Sequence, residues 1–290
     1  INSSLLSIFL IDENQRITTK DIGSVDEIKY WAKELGSRVI MNDETVLVSQ
    51  FRCNGSDLYI QFLNNLLQID EYVDIDITEL NFDIKVFDDP ILMRDELRKK
   101  NQINNKARMV AGYCYDWNVK NHRDEYDIYL ENGFRAKWNL ENDKVWAINP
   151  NSFEEVGCIH TAQGLEFDYV GVIIGEDLRY EDGKVVTDFT KRAKTDQSLK
   201  GIKKLHKENP EKAQKTADEI IKNTYRTLMT RGMKGCYVYC VDESLNNYFK
   251  NLIIDLYGEI VSTSQYTDPM SKKDRYIFLR TENTILANTS

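Results

Sequence analysis

Short apolar runs bounded by polar turns alternate along this chain with segments whose apolar residues recur every three or four positions. The runs read as buried strands and the stripes as amphipathic helices. Ser3–Ile11 is the first strand candidate, ending at Asp12-Glu13-Asn14-Gln15-Arg16. Ser24-Val25-Asp26-Glu27 spells a capping box. It predicts a helix with Ile28, Trp31, Ala32 and Leu35 on one face and Gly36 as its stop. Thr45–Gln50 reads as a strand, and after the turn Phe51–Ser56 the residues Leu58, Phe62, Leu63, Leu66 and Leu67 form a helical stripe. Phe82–Phe87 predicts a strand. Asp88-Asp89-Pro90 predicts a helix start, with Pro in the first turn where its missing N–H costs nothing, and the helix should reach about Asn101. Arg108–Tyr115 is the next strand, and Asp116–Asn139 should fold as a hairpin through Glu131-Asn132-Gly133. Gly157–His160 and Tyr169–Ile174 read as strands flanking a polar turn. Asp177–Lys215 is a polar insertion expected to be part helix. Ala217–Thr230 predicts a helix, Cys236–Val241 a strand, Leu245–Tyr257 an amphipathic helix and Tyr276–Leu279 a last strand-like run.

Strands alternating with helices predict an α/β layer fold with a mostly parallel sheet. In such sheets chemistry gathers on loops beyond the carboxyl ends of the strands. Composition agrees with a globular chain: 290 residues, 41% hydrophobic and 29% charged. That is enough chain for one large domain or two modest ones, with a core that needs no staples. No apolar run reaches the roughly 18–20 residues of a membrane span, and no secretory leader is legible, so no membrane partner is expected. The first residue is Ile1 rather than Met, which suggests a piece of something longer. Five cysteines with no CxxC pair, and three separated histidines, give neither a zinc spacing nor a disulfide framework. A reducing, cytoplasmic setting is expected. The net charge of −9 argues against a dedicated basic nucleic-acid module. Charge is unevenly spread, however: 70–89 is acidic, and 191–215 is a basic stripe that could track phosphates or simply be a solvated face.

Four polar clusters border apolar runs. Asp12, Glu13 and Gln15 could hold a metal-bound water or sense a terminal phosphate. Arg52, in Ser49-Gln50-Phe51-Arg52, could reach phosphate oxygens bidentately. His160-Thr161-Ala162-Gln163-Gly164-Leu165-Glu166-Phe167-Asp168 packs hydroxyl, amide, Gly and carboxylate into one turn. There Gly164 permits close backbone approach, Glu166 could accept ribose hydroxyls, and His160 and Thr161 could meet a nucleic-acid backbone. Finally, Leu228-Met229-Thr230-Arg231-Gly232 closes a helix just before a strand, a place from which Arg231 could act as an arginine finger.

The string HTAQGLEFDYV resembles motif V of superfamily 1 helicases, and LMTRG resembles their motif VI. The fuller strings SQFRCNGSD, VGCIHTAQGLEFDYVGVIIG and NTYRTLMTRGMKGCYVYC resemble the Schlafen group 3-like DNA/RNA helicase domain family, over roughly Leu5 to Val241. The resemblance implies RecA-like three-layer lobes that hydrolyse ATP with Mg²⁺ between them, and a single strand of DNA or RNA as partner. It implies a remnant of the first lobe at 1–70, and a second lobe at 71–260 with a hairpin insertion at about 117–147 and a basic insertion at about 177–215. A C-terminal extension would occupy 261–290. Residue by residue, it makes Gln15 the motif III glutamine and Arg52 the motif IV arginine that reaches the γ-phosphate. It sets Gln163, Gly164 and Glu166 near the nucleotide, His160 and Thr161 near the strand, and makes Arg231 the finger. Asp12-Glu13-Asn14-Gln15 also spells the Asp-Glu-x-Gln of a Walker B motif. In that case Asp12 and Glu13 become Mg²⁺ ligand and catalytic base.

One departure is large. No G-x-x-x-x-G-K-[ST] occurs in the sequence, so the phosphate cradle would come from an N-terminal lobe of the same parent chain. The chain by itself is then expected not to hydrolyse ATP. Loss of catalysis, leaving a binding or regulatory module, is the alternative.

Overall fold

A computed structural model describes residues 4–21, 24–42, 45, 53, 57–75, 80–117, 125–139, 146–162 and 164–257. The expected strand at 45–50, the residues Arg52 and Gln163, and the run 276–279 lie outside the described residues.

The centre is a sheet of β1 (Asp83–Val86), β2 (Ala107–Ala111), β3 (Ile128–Tyr129), β4 (Arg135–Trp138), β5 (Glu155–Gly157), β6 (Phe167–Ile174) and β9 (Gly232–Cys240). Its strand order is β1-β9-β6-β2-β5-β4-β3. Every pairing in it is parallel except β3 with β4. Side chains alternate across it as a strand requires. Val110, Val172 and Val238 join the core beneath α2 (Asp57–Leu67), α6 (Pro210–Met229) and α7 (Glu243–Tyr257). Met109, Ile173, Tyr237 and Tyr239 join the opposite core with α3 (Pro90–Asn104). The result is the α/β three-layer arrangement expected of a RecA-like fold. Both faces of the sheet are covered, so its strands read as continuous apolar runs. Ile17 and the α2 residues Tyr59, Phe62 and Leu63 share one core with the sheet.

Local signals act as their chemistry dictates. Ser24 and Glu27 cap α1 (Val25–Glu34) reciprocally at 3.1 Å each. The Asp89 carboxylate accepts the Ile91 N–H at 2.7 Å, with Pro90 in the first turn of α3. Asn132 and Gly133 turn the β3–β4 hairpin through positive φ. Gly112 packs so tightly that a Cβ there would overlap the Tyr225 hydroxyl.

Three expectations need correction. Residues 4–11 form no strand: Leu5, Leu6, Ile8 and Leu10 are exposed. An apolar run becomes a strand only if a neighbour takes its N–H and C=O groups, and no described strand pairs with it. On the apolar face of α1, Trp31 and Leu35 are likewise exposed and only Ala32 is buried. Second, the strand expected at Gly157–His160 ends at Gly157, and Ile159–Ala162 is one helical turn, α4. Third, the polar stretch 177–215 opens with a hairpin, β7 (Leu178–Glu181) and β8 (Lys184–Thr187), turned by Asp182 and Gly183 at positive φ. It continues as α5 (Ile202–Glu208) and the first turns of α6. Its basic stripe is not one face, since Arg192 is buried and Lys191 pairs with Glu176 at 2.7 Å.

Gly112→Ala should destabilise the fold by about 1–3 kcal/mol through overpacking against Tyr225, read as a lower calorimetric Tm. An unchanged Tm would show that Tyr225 yields freely.

Candidate nucleotide and nucleic-acid site

The sheet has two ends, and the candidate residues divide between them. At the amino end, α6 finishes at Met229 and β9 begins at Gly232, leaving Thr230 and Arg231 as the link. The Thr230 N–H donates to the Arg226 carbonyl at 3.1 Å, and the Arg231 N–H to that of Leu228 at 3.1 Å. The last carbonyls of a helix need outside donors. Here Tyr59 Oη donates to Met229 O at 3.0 Å and Cys53 Sγ to Thr230 O at 3.6 Å. The Cys53 bond brings the segment next to Arg52 against the motif VI turn, although Arg52 is not itself described.

The neighbouring strand completes this edge. The Phe167 N–H donates to the Arg231 carbonyl at 2.8 Å, and Phe167 pairs with Gly232 in register. Glu166 is therefore one residue from a backbone bond to Arg231. Glu166 is exposed, whereas Arg231 is 1% exposed with Nε donating to Thr227 O at 3.0 Å. Gly164 is exposed at φ 83°, where only glycine is unstrained. Asp168 staples the edge by accepting from Lys234 and from Asn104 at 2.8 Å each. Burial pushes its carboxyl up, but the Lys234 and Asn104 bonds outweigh this and hold it below the ordinary 3.8.

Asp12, Glu13 and Gln15 approach the same helix differently from expectation. They form a 3-10 turn, Glu13–Gln15, laid along α6 rather than a strand end. Asn223 Nδ2 donates to the Arg16 carbonyl at 3.2 Å, and Arg16 pairs with Glu219 at 3.3 Å. Gln15 donates to the Asp12 carboxylate at 2.6 Å, and Glu13 accepts the Val25 N–H at 3.1 Å. Burial lowers the Arg226 pKa against the opposing pull of Asp12 and Asp70. Thus the chain from Arg16 back to Asp12 runs along α6 toward its Arg231 end. Among the described residues no group of three or more His, Cys, Asp or Glu is placed to hold a metal.

His160 and Thr161 sit at the other end. Val110 pairs with Gly157 on one side and with Val172 on the other. Cys158 is thus about six strand positions, roughly 20 Å, from the level of Phe167. The loop 158–166 spans the sheet from end to end. His160 is exposed, and Thr161 Oγ1 bonds Asn139 Oδ1 and lies 3.3 Å from Cys158 Sγ. This carboxyl end, where the sequence led us to expect all the chemistry, is largely filled. Arg192 is buried, bonded to Asp177 at 2.9 Å, Asp196 at 2.8 Å and Ser198 at 2.8 Å. Tyr225 of α6 also bonds Asp177 and accepts the Gly175 N–H at 3.0 Å. Burial works against the Arg192 charge, but the two carboxylates more than offset it and raise its pKa. Burial, with Asp177 nearby, raises the Cys114 thiol and the Tyr225 hydroxyl well above their usual ranges. No local sequence signal marks this cluster, because Asp177 and Tyr225 are separated in the chain from Arg192, Asp196 and Ser198. A nearby cleft of about 500 Å³ holds Arg179 and Lys191. Both are committed to Glu181, Asp188 and Glu176, so the cleft offers an anion little.

The family described as Schlafen group 3, DNA/RNA helicase domain, matches residues 1–242. The chain belongs to that family. It is also 29% identical over 170 residues to the uncharacterized protein YPL245W of Saccharomyces cerevisiae, a match covering 57% of this chain and 36% of that protein. The chain thus spans little more than a third of the relative's length in the matched region. No solved structure matches. By its family the chain is helicase-like. Among the described residues no helix is long and apolar enough to cross a membrane.

A depressed carboxyl contributes stability above its unfolded pKa and loses it as pH falls through the folded value. Asp168→Asn should therefore lower the urea midpoint at pH 6, and the gap to wild type should close as pH falls below 3.8. A gap that persists at low pH would show that the Asp168 staple acts by shape rather than charge.

Proposed function

We propose that this chain supplies the second-lobe half of an ATP site in a nucleic-acid-dependent ATPase or helicase. The observation that carries the reading is the Phe167–Arg231 backbone bond at 2.8 Å, which binds the motif V and motif VI turns into one edge. On this reading the Arg231 guanidinium meets charge developing on the γ-phosphate. Arg52, whose neighbour Cys53 bonds Thr230, reaches the same phosphate. Glu166 accepts the ribose hydroxyls, and Gln163 and Gly164 line the approach. Gln15, on the turn that runs along α6, senses the γ-phosphate. If that turn is a Walker B motif instead, Asp12 and Glu13 serve Mg²⁺ and water. His160 and Thr161 contact a single strand of DNA or RNA at the opposite end.

The residues present fit half of a nucleotide site. An exposed carboxylate and a backbone-anchored arginine adjoin, while the Lys-bearing phosphate loop is absent from the sequence. A Walker A lobe of the parent chain would hold the β- and γ-phosphates and Mg²⁺. On this reading that lobe would cover the apolar side chains exposed among the described residues, at 5–11 and at Tyr30, Trp31, Leu35, Ile40 and Met41. Exposed apolar side chains that lie together ordinarily mark an interaction surface. This reading also places the protein in the cytoplasm.

One observation favours the alternative of an inactive binding or regulatory module: the Arg231 side chain is buried, with Nε bonded to Thr227 O. The two readings separate in the two-lobed parent protein, assayed with and without single-stranded nucleic acid. Arg231→Ala should cut ATP turnover by about 10³-fold or more while nucleotide binding persists. Undiminished turnover would remove the finger role, and no turnover in the wild type would favour the inactive module.

A further inference from the structure

Beyond the motif strings, the carboxyl end of the sheet carries a row of aromatic rings. Tyr113 and Tyr115 follow β2 at alternate positions and pack edge-on against Trp138, with centroids 5.5 and 5.8 Å away. On its other side the Tyr113 ring lies 6.4 Å from the His160 imidazole. Exposure rises along this row. Trp138 is wholly buried, Tyr113 half-buried, and His160 exposed.

The row is also held rigid. The Ala193 N–H donates to the Tyr113 carbonyl at 2.9 Å, and the Lys194 N–H to the Asp116 carboxylate at 3.1 Å. The donors belong to the loop that Arg192 fixes through its two buried ion pairs. Lys194 itself is exposed. Core packing accounts for Trp138 and the inner face of Tyr113. It does not account for an exposed imidazole finishing the row. A rigid aromatic surface ending at solvent suits a flat ring, as in an unpaired base.

We infer that Tyr113, together with His160, is a stacking position for one unpaired base of single-stranded nucleic acid. The inference rests on the nucleic-acid reading of this chain and deepens it: contact is made to the base, not only to the backbone. Stacking accepts any base, because every base has a π-face. The preference is therefore for the presence of a base rather than for a sequence.

The test is fluorescence anisotropy of this chain with a labelled oligo-dT and with an abasic oligonucleotide of equal length. Wild type should bind oligo-dT about tenfold more tightly than the abasic strand. Tyr113→Leu keeps apolar bulk but removes the ring. It should abolish the preference while leaving abasic affinity unchanged, and Tyr113→Phe should retain the preference. His160→Ala, at an exposed position, should reduce the preference without a folding cost, and it carries the test alone if Tyr113→Leu fails to fold. Equal wild-type affinity for both strands, or equal weakening of both by Tyr113→Leu, would overturn the stacking role alone. Binding to neither strand would overturn the nucleic-acid reading and this inference with it.

Discussion

The parallel pairing of β6 with β9 is the constraint from which the candidate site follows. Its ladder runs from Phe167 opposite Gly232, through a one-residue register shift, to an unbroken run from Tyr169 opposite Gly235 to Ile174 opposite Cys240. At its amino end, the first bond joins the residue after Glu166 to the carbonyl of Arg231. Two turns separated by more than sixty residues of sequence thus become neighbours through backbone geometry alone. The bond is between backbone groups, so the meeting of the turns does not itself depend on the side chains of Glu166 and Arg231. The strands themselves are buried on both faces, which gives the anchor the rigidity that an electrostatic contact to a phosphate requires.

The same sheet separates two sets of candidate residues. Its amino end collects Glu166, Arg231 and the segment beside Arg52, while its carboxyl end carries His160, Thr161 and the aromatic row. The loop 158–166 crosses between the ends, so a displacement at one end has a short covalent route to the other. Helix α6 offers a second route. Tyr225 joins the buried Arg192 cluster at the carboxyl end, and Arg231 follows within two turns. These are physical connections between two candidate sites, and either could bias the other in a protein that couples nucleotide and strand.

Much of this was legible in the sequence, for physical reasons. The α1 cap depends on four consecutive residues, and α3 on Asp89 and Pro90, so local chemistry sufficed. The buried strands declared themselves as apolar runs. Other features depend on distant partners and could not be read locally. Residues 4–11 have the composition of a strand, but no described neighbour pairs with them. His160 and Thr161 belong to a helical turn because β5 must give way to a loop that returns across the sheet. Arg192 looked like part of a basic stripe until Asp177 and Asp196 surrounded it. The β7–β8 hairpin was a missed signal of a different kind, since Asp182-Gly183 between two alternating runs is a strong turn marker. Glu166 and Arg231 precede their strands rather than follow them, so these two candidates lie at the amino end of the sheet and not at the carboxyl end.

The account turns on one nucleotide being reached from a single edge of the sheet. A crystal structure of the two-lobed protein with a non-hydrolysable ATP analogue tests it most directly. The account predicts the Glu166 carboxylate against the ribose and the Arg231 guanidinium against the γ-phosphate of the same molecule. A nucleotide bound elsewhere, with both residues remote from it, would contradict it.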